Sequence, residues 1–270
     1  MNRVAQAVSR ATRPAALVGT LRELLATGVC AACYPFGVGS QVPVGGEEPA
    51  APAVVRPQRA SATPVLLVHG YGHNRSGWMF IERHLRQCGF DYLTSMNYSP
   101  LCRDIGRVAL DLAHRIDTIR AITGARRVHL IGHSLGGIVI RYYIQLLGGD
   151  AFVHTAVTIA SPHEGTEAGH LLPAPLVEQL HPDSWVIRAL AHSARPSRVN
   201  WVAYHSDLDV LVQPAESAML RHPALVATNL LVKDHGHLSM LLSPGLGRSV
   251  AHQLALAEGW VKEEELARMG

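Results

Sequence analysis

This sequence has no basic stripe, no His-Glu-x-x-His and no second cysteine pair, and each absence removes a class of function. Lys and Arg total 24 against 21 acids, a net charge of only +3 over 270 residues. With no Lys/Arg cluster, that balance excludes the electrostatic footprint of a nucleic-acid partner. The sixteen histidines lack metalloprotease spacing, so neither a metal site nor a cofactor is expected. Of the four cysteines, only Cys30 and Cys33 form a Cys-x-x-Cys. Half a zinc site is not a site, and the apolar surroundings "TGVCAACYPF" predict buried structural thiols.

Long uncharged apolar runs are also scarce. The run from Leu24 to Val38 is shorter than the ~20 residues a spanning helix needs, and it contains Pro35. Arg3, Arg10 and Arg13 precede it without an acid, while Arg22 and Glu23 split the compact apolar core that a signal peptide requires. Two readings stay open for residues 1–38. They are a cationic segment with an apolar hairpin on a membrane surface, or a helix packed on the domain. Both favour a cytoplasmic or peripheral-membrane location over secretion. Residues 39–63, rich in Pro, Gly and Ala, read as a linker. The candidate chemistry begins only after it, so residues 1–38 are expected to stand apart from the reaction.

What is present is an alternation. Hydrophobic residues make up 48% and charged residues 17%, a globular composition long enough for one α/β domain over residues 64–270. "PVLLVHG", "FDYLTSMNY", "RRVHLIG", "HTAVTIAS", "VNWVAYHS" and "LVATNLLVKD" read as strands. Helical spacing separates them at residues 76–88, 104–122, 135–147, 214–221 and 248–267. Such alternation predicts a mostly parallel sheet with helices on both faces. Between residues 161 and 198 the rhythm breaks into Pro-punctuated helical pieces, read as a small helical cap. Its Leu171, Leu172, Leu176, Val177, Trp185 and Ile187 either line an acyl site or pack the cap down.

Three segments carry chemistry. "GHSLGG" puts Ser134 in a Gly-x-Ser-x-Gly turn between a buried strand and a helix, which lifts a serine hydroxyl above the sheet. A serine needs a histidine base, itself held by a carboxylate, in the order Ser, acid, His. "YHSDLDVLVQP" offers Asp207 and Asp209, and "VKDHGHLSML" offers His235 and His237. Each pair shares a face, because alternate residues of an extended chain do. Asp209 and His237 are preferred, since apolar residues after each can anchor a turn. Two N–H donors for an oxyanion would come from Leu135, after the nucleophile, and from Tyr71 in "VHGYGH".

Together with "VLLVHGYG", "IASPHEGT" and "EQLHPDSWVIRALA", these segments resemble the bacterial lipase/esterase group of the α/β-hydrolase family over about residues 64–247. The resemblance implies the α/β-hydrolase fold, with Ser134 as nucleophile, Asp209 as orienting acid, His237 as base, and Tyr71 and Leu135 at the oxyanion. It implies hydrolysis of a small-molecule or lipid carboxylic ester through an acyl-enzyme. Acyl transfer, or thioester or amide cleavage, would use the same residues. A non-catalytic binding role is the remaining alternative, and it would not require Ser, Asp and His in order. Some relatives bind calcium near the histidine. Asp234 is the only acid near it in this sequence, so no metal is expected.

Overall fold

Short Val/Leu/Ile runs bounded by turn residues can bury both faces only at the centre of a layered domain. In the computed structural model, which describes residues 14–38, 63–99, 101–170 and 174–261, six of them form one all-parallel sheet. The strands are β1 (Val65–Val68), β2 (Leu93–Met96), β3 (Val128–His133), β4 (Val153–Ile159), β5 (Asn200–Ser206) and β6 (Ala227–Val232). They lie in the order β2-β1-β3-β4-β5-β6. The helices are α1 (Pro14–Gly37), α2 (Met79–Gln87), α3 (Ile105–Thr123), α4 (Leu135–Leu146), α5 (Pro175–Glu178), α6 (Trp185–His192) and α7 (Pro244–Ala257).

Alternate strand residues serve opposite cores. Leu66, Val68, Leu130 and Ala156 pack with α3 and α4, whereas Val65, Leu67, Ile131 and Val157 pack with α2 and α7. In α3, Asp104 caps the start by accepting the Gly106 N–H at 2.7 Å. Ile105, Val108, Leu112, Ile116 and Ile119 then form its buried face. Each large aliphatic side chain buried this way contributes about 1.5–3 kcal/mol.

Two helical expectations shrink. The segment 214–221 forms only a 3-10 turn, Ala215–Ala218, which ends where Met219 becomes extended. The periodicity at 248–267 is realised as α7, which starts earlier behind the Ser243 cap and stops before Gly259. Residues 262–267 lie outside the described residues.

Between β4 and β5 the described residues contain no strand, only a 3-10 turn, α5 and α6. Leu176 and Ile187 join the core cluster and Val177 is buried, so these three pack the segment down. Trp185 stays exposed and meets Tyr142 edge-on, with ring centroids 6.2 Å apart. Leu171 and Leu172 lie outside the described residues. The buried Arg141 of α4 ties the segment in, donating to the carbonyls of His163 at 2.7 Å and Leu190 at 3.2 Å.

The N-terminal apolar stretch is one helix, α1, not a hairpin. Arg3, Arg10, Arg13 and all of the expected linker except Thr63 lie outside the described residues. A narrow stripe of Gly19, Ala26, Cys30 and Gly37 faces the domain. Burial, with Cys33 and Glu23 nearby, pushes the Cys30 thiol up to about 11, which leaves it unreactive. Leu17, Val18, Leu21, Leu24, Leu25 and Phe36 face outward and are exposed.

β3 turns into α4 at Ser134, whose φ of 53° and ψ of −122° are costly for a residue with a Cβ. The turn is tight enough that a Cβ on Gly136 would collide with the Val68 carbonyl and lie 2.7 Å from the His69 carbonyl. Backbone oxygens of a central strand cannot step aside. Gly136→Ala should therefore lower stability by about 1–3 kcal/mol or more, as overpacking does. Gly28 of α1 has nothing within 4 Å of an added Cβ, so Gly28→Ala should stabilise by about 0.5–1 kcal/mol. Urea midpoints measure both, and equal midpoints would refute the steric account of the turn.

Candidate active site

A parallel sheet brings all its strand carboxyl ends to one edge, and ligands bind where the strand order reverses. Here the reversal falls between β1 and β3, whose exits carry residues 69–73 and Ser134. Two main-chain bonds hold the serine. Its N–H donates to the Ile159 carbonyl at 2.8 Å, and its carbonyl accepts the Gly137 N–H at 3.0 Å. They fix a backbone whose strain is worth about 1–3 kcal/mol. Leu135 opens α4, so its N–H has no intrahelical acceptor.

The loop after β1 lies against this turn. A Cβ on Gly70 would sit 3.0 Å from the Ser134 Cβ and 2.9 Å from the His133 Nδ1, and Tyr71 follows directly. His69 stiffens the loop. Its Nε2 accepts the Tyr98 N–H at 3.4 Å, which leaves the Nδ1–H to donate to the Gly70 carbonyl at 2.8 Å. The Tyr98 ring stacks on it at 4.2 Å, and the Tyr98 hydroxyl donates to the His69 carbonyl at 2.8 Å. Burial pushes His69 down to about 4 against the opposing pull of its Gly70 bond, so the ring stays neutral.

The structure separates the paired candidates by what each touches. Asp209 is buried, and its Oδ2 accepts the His237 Nδ1–H at 2.8 Å. Its Oδ1 accepts the N–H groups of Leu211 at 2.9 Å and Val212 at 3.0 Å. Asp207 is exposed and accepts the Asp234 N–H at 3.0 Å, bracing the turn before His237. His235 donates locally to the Lys233 carbonyl at 2.7 Å. Burial disfavours a charged His237, but the Asp209 carboxylate and the Glu23 charge outweigh it and hold the imidazole above its ordinary value.

Two contributors carried no sequence signal. His133, beside the serine, donates from Nε2 to the His237 carbonyl at 3.1 Å, with the rings 4.7 Å apart. Burial first, then the His237 charge, keep it far below the ordinary imidazole range. The His133 ring thus links the serine turn to the His237 backbone. The second contributor is α1, which does not stand apart as expected. Glu23 accepts N–H groups from Leu238 and Ser239, and Arg22 donates to the Asp234 carbonyl at 3.0 Å. A local motif that looks only downstream of residue 63 cannot find Glu23 or Arg22.

The sheet order, the Ser134 turn and the Asp209–His237 contact form one architecture, and residues 63–178 match the family model for the alpha/beta hydrolase fold. This chain has the α/β-hydrolase fold. It is similar to the triacylglycerol lipases of Burkholderia plantarii and Pseudarthrobacter phenanthrenivorans, with 34% identity over 129 residues and 33% over 117. Those segments cover 44% and 40% of the chain and 35% of each relative; the chain spans about a third of the length of the curated relatives it matches. Among solved structures it is similar to Aspergillus fumigatus lipase B, with a TM-score of 0.62 at 19% identity, covering 72% of this chain and 54% of that one. Bacillus licheniformis lipase BlEst2 in mature form gives 0.61 at 18%, covering 73% and 94%.

Among the described residues, His129, His154 and Glu258 could hold a metal ion, with ligand atoms within 4.8 Å of one another. That group lies at the opposite, amino end of the strands, and His129 Nε2 already bonds Glu258 at 2.9 Å.

The two neighbouring histidines should titrate oppositely. Nitrogen-detected NMR is expected to show His237 charging above the ordinary imidazole value of about 6.5, with His133 neutral well below it. Asp209→Asn removes the outweighing carboxylate, so the His237 value should fall. A wild-type His237 titrating below 6.5 would contradict the electrostatic account.

Proposed function

We propose that this chain hydrolyses carboxylic esters of apolar acyl chains through an acyl-enzyme on Ser134. The observation that carries the reading is the buried Asp209–His237 pair at the strand edge that bears the strained serine turn. A hydroxyl is a weak nucleophile until a base takes its proton during attack. In this reading His237 Nε2 takes the Ser134 proton as Oγ bonds the ester carbon. Asp209 keeps the proton on Nδ1 and stabilises the imidazolium that forms. The carbonyl oxygen gains charge beside the Leu135 and Tyr71 N–H groups, where fixed donors act without reorganising. Collapse expels the alkoxide, which takes the proton from His237. Water then repeats the cycle against the acyl-enzyme and releases the acid.

Similarity to triacylglycerol lipases supports a lipid or lipid-like ester as substrate. Ser134→Ala should lower kcat on p-nitrophenyl esters by about 10⁴- to 10⁶-fold with little change in melting temperature. Asp209→Asn and His237→Ala should cost far more than Asp207→Asn and His235→Ala. A fluorophosphonate probe should label Ser134. Labelling without turnover of any ester would favour acyl transfer, and near-normal turnover by Ser134→Ala would refute the mechanism.

The outward face of α1 supports contact with a lipid surface. A helix apolar all round belongs in a core or in contact with lipid, yet Leu17, Leu21, Leu24, Leu25 and Phe36 have no cover. Arg3, Arg10 and Arg13 precede this helix, and no acid occurs before Glu23. Near anionic lipid, each basic residue contributes about 1 kcal/mol. Full-length protein should co-sediment with phosphatidylglycerol vesicles, and added salt should weaken binding. Replacing Leu21, Leu24 and Leu25 together by Ser should abolish binding while a soluble short-chain ester is still turned over. Concentration-dependent dimerisation lost in the same variant, without vesicle binding, would assign the face to a second copy and overturn the lipid reading.

A further inference from the structure

His237 reaches the site on a turn, residues 234–239, that follows β6 and leads into the 3-10 segment Ser239–Leu242. Such a segment starts with N–H groups that have no internal acceptor, so something outside must satisfy them. The turn is braced partly from its own side of the fold. Asp207 accepts the Asp234 N–H, and the Ser206 hydroxyl donates to the His235 carbonyl. The Gly236 N–H donates to the Ser239 hydroxyl at 2.8 Å, and the N–H groups directly after the histidine turn toward α1. There Glu23 accepts the Leu238 N–H on Oε1 at 2.7 Å and the Ser239 N–H on Oε2 at 2.9 Å. The carboxylate is pressed so closely onto the turn that any Cβ at Gly236 would collide with it.

We infer that Glu23 is a positioning residue for His237, a two-pronged carboxylate from α1 that fixes where the turn holds the imidazole relative to Ser134. The inference rests on the proposed roles of Ser134 and His237. Its energetic basis is that both carboxylate oxygens accept charge-assisted bonds, roughly twice as strong as neutral ones. A displacement of about 1 Å at a catalytic group can cost about 100-fold in rate, so a turn tied at two consecutive amides matters for chemistry.

Placement and charge can be told apart from a merely structural brace. The charged and titratable groups facing His237 are Asp209 in front, His133 beside it from β3, and Glu23 behind it from α1. His133 stays neutral, and Arg22 is engaged with the Asp234 carbonyl. Glu23 therefore favours the protonated imidazole, which cannot act as base. Removing its charge should move the acid limb of kcat/KM to lower pH even as misplacement lowers the plateau. A simple brace would leave the limb where it was.

The test uses the full chain and a soluble short-chain p-nitrophenyl ester, with Ser134→Ala measured in parallel. Glu23→Ala should lower kcat by about 10- to 100-fold with KM nearly unchanged. Glu23→Gln keeps the shape and one acceptor oxygen, so it should lose less, while its acid limb still moves to lower pH. If Glu23→Ala does not fold, Glu23→Gln decides. An unmoved limb, or a kcat per folded molecule equal to wild type, overturns the inference. If Ser134→Ala itself turns over ester normally, the underlying mechanism fails first and the role of Glu23 falls with it.

Discussion

A serine with a positive φ at the end of a buried parallel strand is the constraint around which this site is arranged. The conformation at Ser134 persists only because β3 is fixed on one side and α4 begins at once on the other. The close approach of α4 to the end of β1 holds Ser134 against the loop that carries Tyr71. Fixing one residue in an unfavourable region thus brings together the hydroxyl, the first amide of α4 and a second loop. The strain is small beside the burial free energy of the two cores that flank the strand.

Around that turn, environment sorts chemically identical rings into different roles. His69 and His133 are buried with no carboxylate against them, and both are pushed toward the neutral state. As neutral rings they act as hydrogen-bonding spacers, one stiffening the loop after β1 and the other linking the serine turn to the His237 backbone. His237 is as thoroughly buried but faces Asp209, and the balance reverses.

α1 has two dissimilar duties on its opposite faces. Its inner stripe carries small residues, which let Glu23 and Arg22 reach the His237 turn. Its last turn also meets the exits of β1 and β2, where Asn74 and Asn97 donate to the Tyr34 and Gly37 carbonyls, each at 2.9 Å. One helix thus touches both loops that flank the serine. Its outer face is apolar and uncovered. A lipid surface held there would lie against the same helix that braces the His237 turn.

Much of this was legible in order along the chain. Buried runs of four to seven residues alternating with helical periodicity imply a parallel sheet, because no other arrangement covers both faces of such strands. Gly-x-Ser-x-Gly implies the bent strand exit, because only small neighbours permit it. Sequence narrowed the acid to Asp207 or Asp209 and the base to His235 or His237, and preferred Asp209 and His237 only on the apolar residues that follow each, since residues two apart share a face. Only the convergence of two loops, at 2.8 Å between Nδ1 and Oδ2, separated the members of each pair. Glu23 was out of reach of any pattern. It lies 215 residues from its partner Leu238, and the contact arises from where α1 docks rather than from anything in its neighbourhood.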